Sequence, residues 1–151
     1  MLSEALPANF TGEGETTVVN DVMTALNTAP GGNIKLFKAD FVPTHDSLKA
    51  DFDAAEADYT GYNPGTLNIY TGPFIDSDGR SFIVGKQMTF TVGAGPVTPN
   101  LLGGGWIEDT GNNVIHYFLF NNPVNFSVTG QSMKVQHTFR ESGFSEVLID
   151  I

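Results

Sequence analysis

The chain has 151 residues, enough for one domain with a substantial core. Seventeen acidic residues against seven basic ones give a formal charge of −10, which leaves too few Lys and Arg for a large nucleic-acid face and disfavours docking on an anionic membrane. The absence of cysteine excludes disulfides and thiolate metal ligands and fits assembly in a reducing cytoplasm.

No apolar run approaches the ~18–20 residues of a membrane span, and the first residues lack the basic region and long apolar stretch of a signal peptide. Residues 1–15 read as an N-terminal arm, rich in Gly, Glu and Ala, with isolated apolar side chains at Leu2, Leu6 and Phe10. Residues 17–27 predict a helix. Val18, Val19, Val22, Met23 and Leu26 form one stripe, and Pro30-Gly31-Gly32 ends it. Residues 34–38 predict a strand, broken at Pro43-Thr44. An acidic segment follows in which Leu48, Phe52 and Ala55 recur at helical spacing, closing on Tyr59-Thr60-Gly61-Tyr62.

The remainder predicts hairpins. Residues 66–70 alternate, and Phe74-Ile75 turns through Asp76-Ser77-Asp78-Gly79 into residues 81–84. Residues 87–92 alternate through Met88, Phe90 and Val92. Residues 93–105 read as a Gly/Pro loop that includes Gly103-Gly104-Gly105, after which Trp106-Ile107 starts a strand. Residues 114–120 are the most apolar run and predict a central strand buried on both faces, broken by Asn121-Asn122-Pro123. Residues 124–128 and 133–139 alternate again, the latter with Met133, Val135, His137 and Phe139 on one face. Seven or eight short strands with regular turns predict a mainly β fold. The expected architecture is an antiparallel sandwich or barrel, jelly-roll-like, with one or two short N-terminal helices and extended terminal arms. The domain itself is expected over residues 16–141. Residues 142–151 form an apolar tail, with Val147, Leu148, Ile149 and Ile151, that must pair within the fold or with another chain.

Motifs for chemistry are sparse. Asp76-Ser77-Asp78-Gly79 resembles half a calcium loop, but further oxygens and a distal Glu do not follow at the required spacing. His116 and His137 fall on strands expected to be neighbours, without a third ligand. Asp46, Asp51, Asp53, Glu56 and Asp58 mostly surround the Leu48–Phe52–Ala55 stripe and read as a solvated face. The glycine-rich loop lacks the Lys-Ser/Thr of a phosphate cradle, and no spacing ties Ser, His and Asp together. No catalytic, cofactor-binding or metal residue is assigned, and an enzyme is not expected. Trp106, following three glycines at a loop edge, is the candidate exposed aromatic, although a core position is favoured for it.

The order of these elements resembles a known family. The pattern is a short apolar helix, Ile34-Lys35-Leu36-Phe37-Lys38 with Phe41-Val42-Pro43-Thr44, an acidic segment, and Ala57-Asp58-Tyr59-Thr60-Gly61-Tyr62. It continues through Pro73 and the Asp76–Gly79 turn, Met88-Thr89-Phe90-Thr91, and Gly105-Trp106-Ile107-Glu108-Asp109. Over residues 18–140 this is similar to small proteins encoded in the structural gene clusters of tailed bacteriophages, beside the major capsid protein. Residues 142–151 depart from that pattern. The resemblance implies a viral structural protein, specifically a capsid decoration (cement) protein on the virion surface. Its expected partners are the major capsid protein and itself, as a trimer by analogy, with no nucleic acid, membrane or cofactor. Leu2, Leu6, Phe10, Val147, Leu148, Ile149 and Ile151 are the expected contacts. The alternative is a tail, neck or fibre-base component or a host-glycan-binding module.

Overall fold

The computed structural model describes residues 12–27, 32–67, 70–140 and 146–150. In chain order the elements are α1 (Gly12–Asn27), β1 (Gly32–Lys38), α2 (Lys49–Ala55), β2 (Gly65–Leu67), β3 (Tyr70–Ile75), β4 (Ser81–Gly85), β5 (Met88–Thr91), β6 (Asn100–Glu108), β7 (Val114–Phe126), β8 (Ser132–Arg140) and β9 (Glu146–Asp150). A four-stranded sheet runs β2-β1-β6-β7. A second sheet runs β3-β4-β8-β5, with β9 also on β8. Each strand pair in them is antiparallel. The fold is therefore mainly β and sandwich-like, as expected, and is not closed into a barrel.

Alternation builds the sandwich interior. Ile34 and Leu36 of β1, Leu102 and Ile107 of β6, and Phe118 and Phe126 of β7 meet Ile83, Phe90, Met133, Val135 and Phe139 of the second sheet. The four inward positions expected on 133–139 are all buried. Helix α1 contributes Val19 and Val22 to this core. It begins at Gly12, inside the stretch expected to be an arm. Its last residue, Asn27, acts as a surrogate strand peptide: its Oδ1 accepts the Tyr70 N–H at 2.7 Å and its Nδ2 donates to the Tyr70 carbonyl at 3.1 Å.

A second, smaller core lies on the outer face of the first sheet. Phe37 and Trp106 project there, and α2 covers them with Phe52 and Ala55, flanked by Phe41, Val114 and Tyr117. The Phe52 ring sits 5.4 Å from Trp106 and 5.2 Å from Phe41, centroid to centroid. Leu48, expected on the buried stripe of this helix, is instead its exposed N-cap. The Asp51 carboxylate accepts the Leu48 N–H at 2.8 Å, a polar role that leaves the leucine side chain outside.

The glycine run expected in a loop lies within β6. A Cβ on Gly104 would stand 2.7 Å from Phe37 Cζ and run into the Phe118 carbonyl oxygen, so β6 passes its two neighbours there only without a side chain. Pairing also skips Gly103 on both sides. Opposite it, Phe120, Asn121, Asn122 and Pro123 form a bulge between Leu119↔Gly104 and Val124↔Leu102. The expected break at Pro123 is thus a bulge within one long strand, which accommodates a residue that cannot donate to the ladder. Nor is β7 a central strand buried on both faces. It stands at the end of its sheet, with His116, Phe118 and Phe120 buried and Leu119 exposed.

Candidate functional site

Three places in the described residues gather polar groups. The first is the charged rim of the outer core. Glu108, at the end of β6, is 1% exposed. Its Oε1 accepts the Trp106 indole N–H at 2.8 Å and lies 3.4 Å from Lys49 Nζ and 3.7 Å from Lys35 Nζ. Lys35 also reaches Glu56 at 3.5 Å and stands 5.6 Å over the Trp106 ring. Lys49 bonds Asp53 one helical turn on, at 2.6 Å. Period 2 on β6 puts Trp106 and Glu108 on one face, and α2 brings Lys49 over them. The network joins three carboxylates to two ammonium groups and surrounds its buried carboxylate with donors. It cements α2 to the sheet and leaves no reactive group free.

The second lies inside the sandwich. His116 of β7 and His137 of β8 face each other from opposite sheets, with ring centroids 5.3 Å apart. The sequence brings them close, as expected, but across the core instead of along one sheet. Tyr70, at the start of β3, places its hydroxyl 3.0 Å from His137 Nδ1. His137 Nε2 and His116 Nδ1 are buried without a partner. Burial holds both imidazoles well below their ordinary pKa, at about 4 for His116 and about 3 for His137, where His116 adds a further lowering. Both rings are neutral at pH 7, and Tyr70 is pushed far up by its own burial.

The third is a cleft of about 490 Å³ between β5 and the segment that runs from Tyr59 to Thr66. Gly61 makes its back wall possible: it has φ +85°, and a Cβ there would come within 2.6 Å of Gly93 N. Tyr59 lines the cleft, and its hydroxyl is buried without a hydrogen-bond partner. Burial raises its pKa to about 12, so it stays protonated.

The residues expected to make contacts are distributed differently. Leu2, Leu6, Phe10 and Ile151 lie outside the described residues. Val147, Leu148 and Ile149 sit in β9, paired opposite His137, Gln136 and Val135 of β8. The tail therefore resolves the choice left open for it by pairing within the fold. The register sets Val147 and Ile149 opposite two residues buried in the sandwich, and Leu148 opposite a half-buried one. Trp106 is not an exposed aromatic: it is 0% exposed, because α2 lies over the face on which it projects. At the half-calcium loop, Asp76 Oδ1 accepts the N–H groups of Asp78 and Arg80 at 2.9 Å each, and Oδ2 accepts Arg140 Nη1 at 2.8 Å. That carboxylate organises a turn and ties it to β8.

Sequence reasoning missed Glu108, Tyr70 and the cleft. Glu108 carried a readable signal, since a carboxylate two residues after a tryptophan on a strand shares its face. Tyr70 lies 67 positions from His137 and had none. Comparison with protein-family models, with curated proteins and with solved structures finds no match for this chain. The likeness to bacteriophage structural proteins accordingly rests on the residue pattern alone.

Proposed function

We propose that this chain is a capsid decoration protein that binds the outside of a bacteriophage head and bridges its capsid subunits. The observation that carries the reading is the position of β9. Among the described residues this strand pairs with β8 alone, leaving its other edge for strand addition. An extended segment of a capsid subunit can add there, with main-chain hydrogen bonds supplying affinity. An apolar edge strand is a liability in solution unless something covers it. The element order shared with phage structural proteins and the charge of −10, which keeps an outer layer from adsorbing DNA, agree with this role.

The contact differs in form from free arms at both ends. Residues 146–150 act as a template strand held by β8, and residues 1–11 remain the candidate arm. Binding to isolated capsids that lack the protein tests this. Removing residues 1–11, or replacing Leu148 with Lys, is expected to lower occupancy at least about tenfold. The circular dichroism spectrum and melting temperature should stay near those of the parent. Full occupancy by both variants refutes shell binding through the chain ends. Electron microscopy supplies the location: many copies over the shell agree with the proposal, and a few at one vertex place the protein in the neck or tail.

A further inference from the structure

The cleft along β5 has a chemical character opposite to that of the whole molecule. The chain carries 17 Asp and Glu, yet among the described residues none lines this cleft. Its one charged group is Lys86, which is exposed. Lys35, Lys38, Lys49 and Arg140 each hold a carboxylate at 3.7 Å or closer, whereas Lys86 makes no ion pair among the described residues. An unpaired cation beside a carboxylate-free wall, in an acidic protein, marks a place where one negative charge is welcome.

The remaining lining narrows the class of ligand. Asn63, Thr66 and Thr89 offer amide and hydroxyl groups, and Met88 a patch of apolar surface. The volume of about 490 Å³ falls in the range of small-molecule sites. A phosphate group, with up to two charges, calls for an arginine fork or several converging N–H donors. One lysine surrounded by neutral hydroxyls and an amide suits a single carboxylate on a hydroxyl-rich body.

We propose that the cleft between β5 and the Tyr59–Thr66 segment binds a carboxylated sugar, with Lys86 holding the carboxylate and Asn63, Thr66 and Thr89 meeting its hydroxyls. This site is independent of the β9 edge. A protein can decorate a shell without it, and can bind the sugar without touching a shell.

Titration of the ¹⁵N-labelled full chain with N-acetylneuraminate and with glucuronate, followed by amide shifts, tests the assignment. At least one of the two acids should produce saturable shifts at Lys86, Thr89 and Thr66, with glucose binding roughly tenfold more weakly or not at all. Lys86→Gln should weaken the acid by roughly tenfold, the scale of a lost charge-assisted hydrogen bond. Thr89→Val, at an exposed lining residue, separates a binding role from a structural one: the free protein should melt as the parent does, while affinity falls by roughly threefold or more. The assignment fails if neither acid gives saturable shifts at these amides, if glucose binds as well as the acids, or if Lys86→Gln retains parental affinity.

Discussion

Glu108 and the His116–His137 pair are buried on opposite faces of the same sheet, and the protein treats them in opposite ways. Glu108 is 1% exposed and is held among an indole N–H and two ammonium groups. The histidines are 8% and 1% exposed and have one hydrogen bond between them and their surroundings, from Tyr70, with a ring nitrogen on each left bare. In one case burial is offset by partners, in the other by giving up the charge. The difference follows from what covers each face. A helix bearing a lysine lies over Glu108. Over each histidine lies the other's imidazole, with the Tyr70 ring also against His137.

The comparison is sharpest in acid. An unfolded histidine takes up a proton near pH 6.5, while the folded pair resists until about 4 and about 3. The folded pKa values are depressed, so the unfolded state binds more protons as pH falls below 6.5, and stability declines with it. At pH 4.5 each ring has lost about 2.5 kcal/mol and the pair about 5 kcal/mol relative to pH 7, comparable to the whole stability of a small domain. Urea midpoints measured from pH 7 to 4.5 should fall accordingly. The double replacement His116→Leu with His137→Leu should flatten that slope. A parental midpoint that is constant over this window contradicts the account. Asp58 and Asp109 do not interfere, since their carboxyls are held below the ordinary range and titrate at lower pH.

Glu108 should answer to substitution. Glu108→Ala leaves the buried indole N–H without its acceptor and takes one of two carboxylates from Lys35 and from Lys49, which keep Glu56 and Asp53, and is expected to cost about 2 kcal/mol at pH 7. Chemical denaturation measures the loss, and Trp106 fluorescence should shift as its hydrogen bond disappears. A cost below about 1 kcal/mol makes the network ornamental. The smallest effect belongs to Lys49→Ala. With its side chain 38% exposed and Lys35 still facing Glu108, about 0.5–1 kcal/mol is expected, shrinking further in 1 M salt.

Much of the fold was legible because it rests on period 2. The inward set Met133, Val135, His137 and Phe139 is buried as alternation requires, and the Asp76–Gly79 turn joins the two strands that flank it. What alternation cannot reveal is what lies above the other face. Trp106 was a candidate rim aromatic because three glycines precede it, although its size favoured the core position it takes. Those glycines are in the strand, at the point where Phe37 crowds it, and Phe52 of α2 closes the face above. The run from Val114 to Phe120 looked central because it is apolar on both sides, whereas one of those sides contributes Val114 and Tyr117 to the helix-covered cluster. The histidine pair was half legible: the sequence put both rings on strands, but sheet assignment depends on long-range pairing that no local pattern encodes. Of the cleft, only the turn glycine at position 61 left a trace, since its walls are separated by more than 20 positions along the chain.

Asn27, Tyr70 and His137 form a single chain of contacts: an amide that mimics a peptide, the residue whose backbone it holds, and the ring that residue's hydroxyl touches. Their roles are not interchangeable one at a time. Phenylalanine at position 70 would leave the amide contact intact and strip the imidazole of its one bond, while a larger side chain at 27 would unseat the strand that carries the tyrosine. In a lineage descended from this sequence, drift at any of the three sites constrains the other two, so they should be inherited and replaced together.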